Sequence, residues 1–473
     1  MLAVRAITFG ILVTIAAVAA PAHAQTLTAA EIGKVDTIVT GALAKSGVPS
    51  ASIAIVRGGK IVFAKAFGKQ SESIAIARAD APYQIASISK QFTAAALLIL
   101  ENRGRLSLDD KVAKWVPGIT GGELITIRQL LSHTSGLQDY WPQDYILPLM
   151  TTPTTPQAIV DRWAKKPLDF EPGTQWQYSN TGYVVAGMIV EKAAGKPLLA
   201  FLQGEIFKPL AMKVIDQDLA VGPAYPAGYH RFALGPVRVA KPAATGWLFA
   251  AGELAMSASD LAKWDIARMN RSLLPAEDWQ SQEATVKLAS GEATGYGLGV
   301  KTGTANGHRF VEHTGEADGF LSENIVFPED KVAVVVLVNA DFSDAFTSIA
   351  SQIFPMILPA QQASSGPQLE VAKTAQARAT FDQLRAGALD RSKLTGNSNY
   401  YFDAVALSDY RTSLGKLGDP ATFELSHPPR LRGGFVNRNY TVTYGDGRKL
   451  LVVTYAELGA AGRYEQFLVM PAQ

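Results

Sequence analysis

Residues 87–102 read SISKQFTAAALLILEN, and this stretch decides the fold. From Ile88 to Asn102 it is apolar nearly all round, and it stops before Gly104. A helix with so little polar face has to run through the middle of a protein. At its head, Ser87 and Lys90 stand three residues apart, on one helical face and one turn from each other. There an ammonium can touch a hydroxyl and favour its alkoxide, and the positive end of the helix dipole acts in the same direction. The spacing alone is weak. Ser413-Leu414-Gly415-Lys416 has it too, but Gly415 breaks that segment and Gly418-Asp419-Pro420 follows.

Upstream, Ile32, Val35, Ile38, Val39 and Leu43 recur at helical spacing. Ser52–Val56 and Lys60–Phe67 are β-rich runs separated by Gly58-Gly59, which predicts a hairpin. Downstream, loops and helices rich in Gly, Pro and Thr run to about residue 245. A second β cluster follows at Tyr296–Lys301, Phe310–Thr314, Phe320–Phe327 and Val332–Asn339. Strands at both ends with a helical middle predict one sheet assembled from both ends and covered by helices. Pro359–Gln368 reads as a linker. Beyond it, Leu369–Ala386 is helical by pattern. Four strand-like runs come after, near Thr422–Ser426, Phe435–Tyr444, Leu450–Tyr455 and Tyr464–Val469. A tail of this size suits a separate α+β domain.

Composition narrows the function. The 473 residues are 48% hydrophobic and 18% charged, ordinary values for a globular protein. The 44 basic and 42 acidic side chains leave a net charge of +2 with no basic run, which argues against nucleic acid as a partner. There is no cysteine, so disulfides, thiol nucleophiles and thiolate metal sites are excluded. Arg5, the apolar run Ala6–Ala20 and Pro21-Ala22-His23-Ala24 read as a secretory signal cleaved after Ala24. About 15 apolar residues are too few for a crossing helix, which needs roughly 20. The expected location is therefore secreted or periplasmic, without a stable membrane anchor after cleavage.

Two further motifs supply chemistry. Tyr178-Ser179-Asn180 follows the turn-rich Phe170-Glu171-Pro172-Gly173. A tyrosine serves as a base only if nearby cations lower its pKa from about 10, and Lys90 is the expected cation. Asn180 offers a donor and an acceptor to a substrate amide. His313-Thr314-Gly315 closes a strand, where the small Gly315 lets a substrate lie along the edge. The N–H of Glu316, with that of Ser87, would form an oxyanion hole. Lys301-Thr302-Gly303 spells a lysine version, but it leads into Thr304-Ala305-Asn306-Gly307, read as a turn and so the wrong platform. His133 is expected to be structural. His230, His308 and His427 are scattered, no H-E-x-x-H or G-x-S-x-G occurs, and neither a metal nor a cofactor is expected. Tyr140, Trp141 and Tyr145 are candidates for the cleft wall or for packing.

These motifs resemble the serine β-lactamase and penicillin-binding protein superfamily, nearest its class C β-lactamase, DD-peptidase and esterase branch. Leu131–Leu137 (LSHTSGL), Gly246–Trp264 with its Asp260–Trp264 end, and Tyr296-Gly297-Leu298-Gly299 are similar to the same branch, and the resemblance spans roughly residues 30–358. It implies an α/β fold, an antiparallel sheet flanked by helices with a mostly helical lobe. It also implies an acyl-enzyme on Ser87, with Lys90 and Tyr178 handling the proton; both stay open as the base. Asn180, His313, Gly315 and Glu316 would bind substrate. His313 stands where β-lactamases of this branch usually carry lysine, which puts efficient β-lactam turnover in doubt. The expected layout is a signal over 1–24, the hydrolase domain over 25–358, a linker over 359–368 and a small α+β domain over 369–473, weakly similar to the NTF2-like cone.

The leading function is a serine hydrolase acting on an amide, ester or lactam of a small molecule or peptide. A penicillin-binding-type protein that acylates with little turnover, and a β-lactamase proper, are the alternatives. In a third reading the tail carries the biology through an unknown partner.

Overall fold

The computed structural model describes residues 26–143, 145–232, 235–359, 367–426, 429–432, 435–459 and 461–472. The predicted signal over 1–24, most of the predicted linker and His427 lie outside these residues. The chain forms two compact units. The first comprises the described residues up to Val300 together with Glu312–Ile353, and the second comprises Lys301–Val311 and Phe354 onward. The division therefore falls a few residues before the expected 358, and a short segment from 301 to 311 sorts with the tail.

In the first unit, helix α1 (Ala29–Ser46) begins with a capping box between Thr28 and Glu31 and ends at Gly47, whose φ is +79°. Strands β1 (Ser50–Arg57) and β2 (Lys60–Gly68) form the expected hairpin. Gly58 and Gly59 both take positive φ, +59° and +72°, as a two-residue turn of this twist requires. Short strands β3 (Tyr83–Gln84) and β4 (Val214–Asp216) flank β7 (Leu254–Met256) in a small separate sheet. Another pair, β5 (Tyr229–His230) and β6 (Arg238–Val239), lies between β4 and β7 in sequence.

The main sheet runs β2-β1-β11-β10-β9-β8, with β8 (Lys301–Ala305), β9 (His308–Ala317), β10 (Phe320–Phe327) and β11 (Val332–Val338). Strands from both ends of the sequence meet where β1 pairs antiparallel with β11, Ile53 opposite Val336. Every residue of β11 is buried, as a central strand covered on both faces must be. Ala54, Val56, Ala333, Val335 and Leu337 join the core shared with the helical lobe, while their alternate neighbours face the other side. One part of the strand expectation fails. Tyr296–Val300 is irregular, and Thr304-Ala305 continue β8, so the turn begins only at Asn306, where φ is +53°.

Through the lobe runs α2 (Lys90–Asn102), buried on all sides from Lys90 to Leu98. Phe92 packs against Trp264 and Phe207, with ring centroids 4.7 and 5.4 Å away. Burying a helix along its whole girth fixes its head relative to the sheet, and that head carries Ser87.

The second unit has the expected long helix, Pro367–Ala386, and a sheet ordered β12-β14-β15-β16. These strands are Thr422–Leu425, Phe435–Thr443, Lys449–Ala456 and Tyr464–Pro471, with a short β13 (Arg430–Arg432) also pairing β14. Phe381, Phe423, Tyr440 and Phe467 are part of its own core. Two helices not anticipated, Gly396–Tyr401 and Ala404–Leu414, start at the N-caps Thr395 and Asp403. Ser413 lies on the second of them.

Candidate active site

Ser87 sits in a 3₁₀ turn, Ala86–Ser89, that leads directly into α2. In a 3₁₀ turn residues three apart eclipse one another, which brings Lys90 over Ser87 more closely than an α-helix would. Ala86 holds a positive φ of +47° although it carries a side chain, a strained backbone locked by its burial. Of the residues from Tyr83 to Leu98, Ser87 alone reaches partial exposure. The turn thus lifts one hydroxyl out of an otherwise buried stretch.

Lys90 is fully buried, and its Nζ has three oxygen neighbours: Ser87 Oγ at 3.0 Å, Asn180 Oδ1 at 2.8 Å and the Ala251 carbonyl at 2.8 Å. Burial lowers its pKa to about 7, opposed by the nearby Asp139 carboxylate. As an ammonium, Nζ donates to all three oxygens. As an amine it has two N–H groups, which the two carbonyl oxygens take, leaving the lone pair facing Ser87. The site therefore holds a buried amine poised to accept the Ser87 proton near neutral pH.

Tyr178 behaves differently from the sequence expectation. Desolvation pushes its hydroxyl well above the usual tyrosine range, Asp139 adds to that, and a hydrogen bond with Ser87 pulls only partly the other way. Lys90 Nζ lies 4.9 Å from the centre of the Tyr178 ring, over its face. The expected lowering of the tyrosine pKa by Lys90 does not occur, and Tyr178 stays a phenol.

Asn180 begins the helix Asn180–Ala194, which Ser179 caps by accepting from the Gly182 N–H at 3.2 Å. Its backbone N–H donates to Asp139 Oδ1 at 3.0 Å and its Nδ2 to Asp139 Oδ2 at 3.3 Å. Asp139, Asn180 and Lys90 thus form one chain, and a substrate competes for an amide group already used on both its oxygen and its nitrogen. Sequence reading missed Asp139, which stands two residues after Leu137 of the family-like loop. It also missed the Ala251 carbonyl.

The loop around His133 holds the Tyr178 segment, as a structural role requires. His133 Nδ1 accepts from the Ser179 N–H at 3.0 Å, and its carbonyl from the Gln177 N–H at 2.9 Å. Its ring lies 4.1 Å from that of Tyr178. Burial, with Lys90 and His313 nearby, pushes the His133 pKa well down.

On β9, Gly315 meets the site at close range. A Cβ there would stand 2.1 Å from the Ile85 carbonyl oxygen and 2.3 Å from Ser322 Oγ, so only glycine allows the strand to pack beside the Ser87 turn. Ser322 donates to the same Ile85 carbonyl at 3.1 Å. Glu316, the next residue, is exposed. His313 is buried, its Nδ1 donating to the Thr314 carbonyl and its Nε2 bonded to the Tyr296 hydroxyl at 2.7 Å. A substrate carboxylate reaching Nε2 would have to displace Tyr296.

Other candidates fall away. Tyr140 is a core residue bonded to the Trp247 carbonyl, whereas Tyr145 is 63% exposed. Ser413 is exposed on its helix and donates back to the Asp409 carbonyl at 2.6 Å. Lys301 is exposed on β8. His230 packs edge-on to Phe232, and His308 bonds the Pro359 carbonyl at 3.1 Å. Among the described residues no group of three His, Asp or Glu side chains is placed to hold a metal ion.

An antiparallel sheet, a buried helix and a serine–lysine–tyrosine cluster at its head define a serine hydrolase. Residues 35–353 match the Beta-lactamase family model, and the chain belongs to that family, within the serine β-lactamase and penicillin-binding protein superfamily. It is 30% identical over 316 residues to penicillin-binding protein 4* of Bacillus subtilis strain 168, covering 61% of this chain and 68% of that protein. It is 31% identical to protein Flp of Staphylococcus aureus strain MW2, covering 65% of this chain and 62% of Flp. Among solved structures, a D-stereospecific amidohydrolase from Streptomyces sp. matches with a TM-score of 0.60 at 28% identity, over 68% of this chain and 98% of that one. An octameric penicillin-binding protein homologue from Pyrococcus abyssi shares the fold, with a TM-score of 0.61 at 22% identity, over 93% of this chain and 99% of that one.

Proposed function

We propose that this chain is a secreted or periplasmic hydrolase of the class C β-lactamase, DD-peptidase and esterase branch. It forms an acyl-enzyme on Ser87 and cleaves an amide or ester of a small molecule or peptide. The observation that carries this reading is the buried Lys90 amine, bonded to two carbonyl oxygens and to Ser87, with a pKa near 7. The signal-like pattern read in the sequence over residues 1–24 supports export.

Lys90, as the neutral amine, takes the Ser87 proton while Oγ attacks the substrate carbonyl. The backbone N–H groups of Ser87 and Glu316 receive the developing oxyanion. Tyr178 donates its hydroxyl proton to the leaving nitrogen or oxygen, and the Lys90 ammonium restores it. Water then attacks the acyl-enzyme, with Lys90 again accepting a proton and returning it to Ser87 Oγ as the acyl–oxygen bond breaks. Asn180, Gly315 and the edge of β9 line the substrate's path, with His313 bracing the strand. The D-stereospecific amidohydrolase relative favours an amide with a D-configured residue as the first substrate class to assay.

The test is covalent labelling by a fluorescent penicillin or a fluorophosphonate. Ser87→Ala is expected to abolish labelling of a protein that still folds. Labelling that survives the substitution overturns the assignment.

A further inference from the structure

A pocket of about 360 Å³ opens beside the hairpin that joins β9 to β10. Its wall is largely apolar, with Val221, Val239, Pro226 and Phe320 among its lining residues, and Val221 and Val239 are 45% and 51% exposed at its mouth. Two carboxylates also line it, Glu72 and Asp318. Glu72 is already matched, by Lys69 at 2.6 Å and the Tyr229 hydroxyl at 3.0 Å. Asp318 is not balanced in that way. What acts on it is burial, the backbone N–H groups of Ala243 and of Asp318 itself, and the like charge of Asp341. Asp341 itself accepts from the Gly319 N–H at 2.9 Å and feels His230.

The pocket stands close to the reacting centre. Asp318 is two residues beyond Glu316, roughly 7 Å along an extended strand. Gln84, which also lines the pocket, is three residues before Ser87, at most about 10 Å of chain. Gly315 and Ser322 lock these two segments together through the Ile85 carbonyl.

We propose that this pocket binds a primary ammonium carried on an apolar body, with Asp318 as the counter-ion and Val221, Val239 and Phe320 around the hydrocarbon. An apolar cavity holding one carboxylate without a cationic partner among the described residues is complementary to such a ligand and to few others. Burial and Asp341 hold the Asp318 carboxyl up at about 7, a cost that a bound ammonium relieves. Resting on the acyl-enzyme reading, the preferred substrates then carry a cationic group within roughly 10 Å of the scissile carbonyl.

The test separates binding from turnover. Full-length Ser87→Ala protein is titrated calorimetrically with 4-phenylbutylamine and with 4-phenylbutanol. The amine is expected to bind about tenfold tighter than the alcohol, the scale of one charge-assisted hydrogen bond. Adding Asp318→Asn is expected to erase that preference, and Asp318→Glu to retain most of it. Equal binding of amine and alcohol, an undiminished preference in Asp318→Asn, or no binding of either overturns the proposal. In the wild type, the p-nitrophenyl ester of 6-aminohexanoate is expected to exceed that of heptanoate in kcat/KM. Hydrolysis that persists in Ser87→Ala contradicts the acyl-enzyme reading instead, and leaves the titration result standing.

Discussion

The same four-residue pattern occurs twice, and only one copy has the surroundings that the proposed nucleophile needs. At Ser87–Lys90 a 3₁₀ turn enters a helix buried on all sides, and the lysine is dry. At Ser413–Lys416 the serine lies near the end of an exposed helix and bonds its own backbone four residues back. Spacing supplies proximity in both. Burial lowers one lysine to about 7, two carbonyl oxygens fix its amine beside the serine, and Lys416 by contrast is exposed. In the proposed mechanism, reactivity comes from the environment of the pair.

The largest effect should come from removing the amine while keeping the volume. Lys90→Met is expected to lower kcat/KM for p-nitrophenyl esters about a thousandfold, the range of a positioned general base. A loss below tenfold would pass the base role to another group.

A smaller effect is expected at Asp139, a positioning residue that acts through Asn180 and Lys90. Asp139→Asn should reduce the rate about tenfold by loosening Asn180. Its carboxylate raises the Lys90 pKa, so the neutral substitute should move the acid limb of the pH–rate profile to lower pH. A rate loss without that displacement would mean that Asp139 only supports the fold.

The smallest effect is expected from Ser413→Ala. Hydrolysis should stay within about twofold, and stability within about 0.5 kcal/mol, as for an exposed surface position. A marked loss of activity would give the second copy a role that its surroundings do not explain.

Much of this contrast was legible in the sequence. The unbroken apolar run after Lys90 announced a buried helix, while Gly415 and the Gly-Asp-Pro beyond it marked the other copy as unlike. The β1–β2 hairpin and the buried β11 were equally plain, because glycine pairs and β-branched runs act locally. Asp139 was not legible, since its role depends on a carboxylate meeting Asn180 forty-one residues further on. Nor was the direction of the Tyr178 shift. Sequence shows that a cation is near, but not that it lies over the ring face, nor that desolvation outweighs it. The helices between 396 and 414 were missed because their caps, Thr395 and Asp403, stand in a stretch with little apolar periodicity.

The most direct measurement is the rate of fluorophosphonate labelling as a function of pH, with the labelled peptide mapped. An ammonium cannot take the serine proton, so labelling should be slow below the Lys90 pKa, rise through about pH 7 and level off above it. The label should be found on Ser87 alone. A rate that climbs only near pH 10, or a label on another residue, would contradict the account.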